Sequence, residues 1–217
     1  IEAQNYISAS SNNKAISILK KIINIDKNNV AAWSLLGKIY SKENNLNEAI
    51  ESFKMLEKLR PNLLAPKKAI LDILVQQEKY EDAEKMINTM LEMKDADKSM
   101  TTSRLAYIKL QQKNYEDAYK WAKKSVIYNP NIPSGWFYLG LASLELEKFK
   151  EALEAFVKCT LIRENWLEAY YYQGLCFFRR KDYVEAKNIL SKLMLQASDE
   201  ELIKKVKLLI EQIPNEK

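Results

Sequence analysis

Six alanines, Ala15, Ala49, Ala83, Ala118, Ala152 and Ala186, follow one another at steps of 34, 34, 35, 34 and 34 residues. Their flanks are alike. Tyr80-Glu81-Asp82 precedes Ala83 and Tyr115-Glu116-Asp117 precedes Ala118, with Asn13-Lys14, Asn47-Glu48, Lys150-Glu151 and Val184-Glu185 before the others. A near-constant period with shared flanks means a tandem array. That limits the fold more than any other feature. Each unit is too short to bury its own apolar face, so neighbours must stack to make a continuous core.

The unit starting at Val30 shows what is being repeated. Trp33, Leu36, Gly37 and Tyr40 recur at offsets of three and four, which places them on one face of a helix. Ala49, Phe53 and Leu56 form a matching face on a second helix. Gly37 and Ala49 are small, so the two helices can approach closely, and Trp33, Tyr40 and Phe53 fill the space around that contact. Asn44-Asn45 predicts the turn between the helices, and Pro61 stops the second one. Four glycines and five prolines among 217 residues suit helices far better than a turn-rich β fold.

This pattern resembles the tetratricopeptide repeat family. The Val30 unit carries the signature through Trp33, Leu36, Gly37, Tyr40, Ala49, Phe53 and Pro61. The Pro133 unit repeats it with Trp136, Leu139, Gly140, Ala152 and Phe156, and the Leu167 unit with Tyr170, Gly174, Phe177 and Ala186. Two units depart from it. The Leu64 unit lacks the aromatic and the glycine, and the Ser99 unit has Ala106 and Lys109 at those positions. The resemblance covers roughly residues 1–196 and implies an all-α, right-handed superhelical solenoid of helix-turn-helix repeats. The expected organisation is one array: an incomplete repeat over 1–29, repeats over 30–63, 64–98, 99–132, 133–166 and 167–197, and a capping helix over 198–214. The incomplete repeat would keep only two turns of its first helix, around Ala3 to Ser8. The extra residue between Ala83 and Ala118 is expected in the linker near Asp95 to Ser99, because a loop absorbs an insertion more easily than a packed helix. Ser198-Asp199-Glu200-Glu201 reads as a capping box ahead of Leu202, Val206, Leu209, Ile210 and Ile213.

Little in the chain supports catalysis. There is no histidine and no glycine-rich phosphate loop. Cys159 and Cys176 fall on inner helix faces and are expected to be buried free thiols. Glu81-Asp82 and Glu116-Asp117 stand at predicted helix N-termini, where negative charge is favoured. We therefore expect no enzyme, no cofactor and no bound metal. The formal charge of +5 is modest, and the pairs Lys20-Lys21, Lys123-Lys124, Arg179-Arg180 and Lys204-Lys205 are scattered among acidic residues, so nucleic acid is not an expected partner. No apolar run is long enough to span a bilayer. The chain starts at Ile1 without a methionine, so a preceding signal or anchor stays open. The cytoplasm is the favoured compartment, with a periplasmic or membrane-tethered location as the alternative.

The resemblance also implies where a partner sits. In tetratricopeptide proteins the first helix of each repeat lines a concave groove that takes peptides. In this chain the first half of that face is small and polar, with Lys38, Lys42 and Lys68. The second half carries Tyr107, Phe137, Tyr138, Leu141, Tyr171, Tyr172 and Phe178, with Arg104 and Arg179 beside them. We expect a scaffold or adaptor that binds a protein or peptide through Arg104, Tyr107, Phe137, Tyr138, Leu141, Tyr171, Tyr172 and Arg179, with Lys68 contributing, in support of complex assembly. For Leu141, Leu175 and Phe178 the favoured reading is packing between repeats. The two-carboxylate clamp that some family members use for chaperone tails is not expected: Lys68 and Arg104 match isolated elements of it, but Asp72, Ser134 and Tyr138 depart from it. The alternatives are self-association through the ends or the convex face and, more remotely, nucleic-acid binding.

Overall fold

The computed structural model describes residues 12–214. Among them it contains twelve α-helices and no strand: α1 (Asn12–Ile25), α2 (Val30–Lys42), α3 (Leu46–Leu59), α4 (Leu64–Gln76), α5 (Tyr80–Leu91), α6 (Lys98–Gln111), α7 (Tyr115–Tyr128), α8 (Pro133–Glu145), α9 (Phe149–Ile162), α10 (Leu167–Arg179), α11 (Tyr183–Gln196) and α12 (Glu200–Glu211). The helices form two compact units, one ending at Ala96 and the other starting at Asp97. The expected helix around Ala3 to Ser8 lies outside the described residues.

The alanine period is the packing period. Ala15, Ala49, Ala83, Ala118, Ala152 and Ala186 are all 0% exposed. Three of the helix pairs then match a small residue with a large one. A methyl group added to Gly37 would stand 2.6 Å from the Phe53 ring, one on Gly140 2.7 Å from Phe156, and one on Gly174 2.5 Å from Leu190. Those distances are well inside van der Waals contact, so the missing side chain makes room for the ring or the leucine. The two units that lack glycine solve the same fit differently: Ala106 pairs in register with Ala122, and Leu71 with Ile87, all four fully buried. Trp33 and Trp136 stay half exposed. Each indole N–H donates to a carbonyl in the preceding linker, Lys27 at 2.9 Å and Pro130 at 2.7 Å.

The turns inside the repeats are also periodic. Asn44, Glu78, Lys113, Glu147 and Lys181 all adopt positive φ, between 55° and 67°. In each turn this residue donates its N–H to a carbonyl three residues back, and the next residue donates to one five back, as in Asn44→Ser41 and Asn45→Tyr40. This is the Schellman closure of a helix C-terminus, usually supplied by glycine. The left-handed backbone is unfavourable for glutamate and lysine, and the two hydrogen bonds offset part of that cost.

The linkers explain the uneven period. Those before α2, α4, α8 and α10 have four residues, whereas residues 92–97 form a longer connection between α5 and α6. Asp97 caps α6 by accepting from the backbone N–H groups of Ser99 and Met100. The last helix starts one residue later than the capping-box reading placed it. Asp199 is the N-cap, accepting from Leu202 N–H at 2.7 Å, and Ser198 lies outside the helix. An aspartate accepts the orphan N–H as well as a serine does and adds a charge favourable at that end. Val206 and Leu209 are buried against Leu190 and Leu193 of α11, as the apolar spacing required. At the step where other first helices carry Gly37, Gly140 or Gly174, α12 carries an exposed Lys207. A helix packed there as α9 packs on α8 would bury an ammonium group.

Candidate functional site

The first helices of the second unit, α6, α8, α10 and α12, bring the expected tyrosines together. Phe137 of α8 is the hub. Its ring stacks on Trp166 at 4.7 Å and 20°, and lies edge-on to Phe156 at 5.8 Å, Tyr172 at 5.7 Å and Tyr138 at 5.9 Å. Tyr172 stacks on Phe156 at 5.2 Å and 13°, with Tyr171 nearly perpendicular to it at 5.3 Å. Tyr107 extends the row from α6, 5.6 Å from Tyr138. Offset and edge-on contacts of this kind hold rings at fixed angles and add to simple burial.

One expected anchor is a core residue instead. Phe137 is only 5% exposed and belongs to the cluster of Ala152, Phe156, Cys159, Ala169 and Cys176. It has little surface to offer a partner. The neighbouring rings close over it. Tyr138, Tyr172 and Leu141 are half buried, with their inner edges packed on that cluster. Tyr107, Tyr171 and Arg104 are also partly exposed, and Arg179 is exposed at the end of α10. Lys68 belongs to the first unit, where it is an exposed residue of α4. Leu175 and Phe178 pack between α10 and the α11–α12 cluster.

The charges around the rings follow from the same register. Burial pushes the Tyr138 hydroxyl above its ordinary range, with Tyr107 and Glu168 adding to the shift and Arg104 opposing it. Burial also raises Tyr172, assisted by Glu168, Tyr171 and Glu145 and opposed by Lys205. Tyr171 is raised by burial against the pull of Lys205 and Arg179. All three hydroxyls are therefore neutral donors at physiological pH. Sequence reasoning missed part of this surface. It treated α12 as a solvating cap, yet Glu201, Leu202 and Lys205 line a pocket with Glu168, Tyr171, Tyr172 and Asp199. The available signal was register, because Glu201 and Lys205 occupy the same steps of α12 that Glu168 and Tyr172 occupy in α10.

Other candidate chemistry resolves into structure. Cys159 and Cys176 are free and buried, and burial pushes each thiol up to about 12, so neither provides a thiolate at neutral pH. Several of the basic residues are engaged locally. Lys124 lies over Trp121 at 4.2 Å, Arg180 pairs with Asp182 at 3.0 Å and Lys205 with Glu201 at 2.8 Å. Among the described residues no helix is long and apolar enough to cross a membrane.

Comparison with known proteins defines the class. The Tetratricopeptide repeat family matches residues 6–69 and 168–199, and the family "Anaphase-promoting complex, cyclosome, subunit 3" matches residues 76–159. The chain is a tetratricopeptide-repeat protein. It is similar to the "Formate-dependent nitrite reductase complex bifunctional subunit NrfFG" of Haemophilus influenzae, with 29% identity over 49% of this chain and 28% of that protein. The chain spans less than a third of the curated relatives it matches, 14% and 28% of their lengths. Among solved structures, a tetratricopeptide repeat protein from Parabacteroides merdae shares the fold at a TM-score of 0.77 and 15% identity, covering 95% of this chain and 83% of that one. YrrB, described as a TPR protein with an unusual peptide-binding site, aligns at a TM-score of 0.65 and 18% identity, over 88% of this chain and 97% of its own.

Proposed function

We propose that the protein is a non-enzymatic interaction scaffold that binds a peptide or protein segment along the tyrosine-lined face of its second unit. The observation that carries this reading is the row Tyr107, Tyr138, Tyr172 and Tyr171, each partly exposed and each braced by another ring. Tyrosines fixed in this way offer large contact area and a hydroxyl donor with little rotamer entropy left to lose, which is the character of interface hot spots. The charge of Arg104 reaches Tyr138 and that of Arg179 reaches Tyr171, and YrrB, with a similar fold, has a peptide-binding site. The test is Tyr138→Ala combined with Tyr172→Ala, assayed by titration calorimetry with a peptide selected on the wild-type protein. Binding should weaken by at least 100-fold, because hot-spot truncations cost about 2 kcal/mol or more each. Unchanged affinity in a folded variant refutes the groove reading.

A second reading, self-association, has its own observation. Ile127, Leu161 and Leu195 occupy the same step of α7, α9 and α11 and are 71%, 69% and 88% exposed. A ridge of aliphatic side chains in water favours association. Light scattering should show a mass that rises with concentration and returns to the monomer value in Leu161→Glu with Leu195→Glu. A wild-type protein that stays monomeric at high concentration removes this reading.

A further inference from the structure

The pocket between α10 and α12 carries chemistry that the groove reading alone does not use. It encloses about 240 Å3 and is lined by Tyr171, Tyr172 and Leu202, with Glu168, Asp199, Glu201 and Lys205 around them. Sites that enclose a whole drug-sized ligand run to roughly 300–1,000 Å3, so this one has room for a single side chain of a longer partner. Three carboxylates face one ammonium, and that ammonium is already paired with Glu201 at 2.8 Å. Asp199 accepts from the Leu202 N–H with one oxygen. The positive N-terminal ends of α10 and α12 offset part of the surplus, about half a charge each, and leave the pocket negative. That sign runs against the chain as a whole, which is +5.

We propose that this pocket receives a cationic side chain, an arginine or lysine of the bound segment, held between the Tyr171 and Tyr172 rings and the Glu168 carboxylate. The proposal rests on the groove reading and assigns the partner's chemistry. An acidic side chain here would meet three carboxylates. An apolar one would strip water from them without compensation, which is costly. A guanidinium satisfies both surfaces, because it stacks on aromatic faces and donates in a planar fork to carboxylates. Glu168 is well placed for this role because its charge reaches both Tyr138 and Tyr172, so the cation would sit where the tyrosine row meets α12.

The experiment selects a random dodecapeptide display library on the whole chain, then resynthesises the binders and titrates them against wild type, Tyr172→Ala, Glu168→Gln and Glu168→Arg. The expected binders carry arginine or lysine at an anchor position. They should lose about tenfold in affinity to Glu168→Gln and 100-fold or more to Glu168→Arg, and bind more weakly as salt rises. Replacing the anchor cation by glutamine should remove the sensitivity to Glu168. Binders that depend on Tyr172 but are indifferent to both Glu168 variants overturn the cation assignment and leave the groove reading standing. A selection that yields no Tyr172-dependent binder overturns both. Circular dichroism of each variant separates lost binding from lost fold.

Discussion

Phe156→Ala is expected to lower the unfolding free energy of the second unit by about 3–5 kcal/mol, the range for truncating a buried phenylalanine. Phe156 is 0% exposed and fills the space that Gly140 vacates, since a methyl group on Gly140 would stand 2.7 Å from its ring. It stacks on Tyr172 and meets Phe137 edge-on. Its carbonyl accepts from the buried Gln173 amide at 3.2 Å, which ties α9 to α10. Alanine would leave a cavity bounded by two fixed helices, with little prospect of collapse. Urea unfolding followed by near-ultraviolet circular dichroism should show the loss. Gly140→Ala alone should be destabilising through overpacking, and less so when combined with Phe156→Leu, because the smaller side chain yields room for the new methyl group. Phe156→Ala should also weaken partner binding although Phe156 touches no partner, since Tyr172 would lose the surface that sets its angle. A stability loss below about 1 kcal/mol would mean that the neighbouring helices close over the gap, against the rigid packing assumed for this class of core.

The same pair shows why so much of the fold was legible. A period of 34 residues, a small residue at one step and an aromatic 16 residues later leave few arrangements that bury both helices, and Gly140 with Phe156 realises the one the spacing demands. The turns were legible only at Asn44, because the other four left-handed positions hold Glu78, Lys113, Glu147 and Lys181, which carry no turn signal. The site was half legible. The family resemblance implies that Tyr138 and Tyr172 face a groove but cannot say whether a ring at such a position is covered, and Phe137 is covered because Trp166 of the linker folds flat against it. A linker residue has no helical register to read. The contribution of α12 was missed for another reason: its lysines and glutamates look like a solvated cap, and only the pocket they share with Tyr171 and Tyr172 distinguishes the two roles.

A second large effect is expected at the ion pair between Lys67 and Glu57. Lys67 follows Pro66 in α4, and its side chain is 5% exposed, in a direct ion pair with Glu57 of α3, whose side chain is 28% exposed. Register puts Lys67 at the step held by Trp33, Trp136 and Tyr170 in other units, a packing position, but it names no partner for the charge. Glu57→Ala would leave an ammonium buried between neighbouring repeats with no counter-charge, and removing one partner of a buried pair costs about 3–5 kcal/mol. The partial exposure of Glu57 lets water approach, so the lower end of that range applies here. Lys67→Met should behave differently. The methionine retains most of the apolar stem, no buried charge remains, and Glu57 can turn towards water, so stability should stay within about 1 kcal/mol of wild type. Denaturant unfolding of the two variants therefore separates charge from packing. A large loss with Glu57→Ala and almost none with Lys67→Met means that the pair persists because each charge makes the other tolerable. Equal losses in both would show that the lysine stem, through its packing, holds α3 against α4.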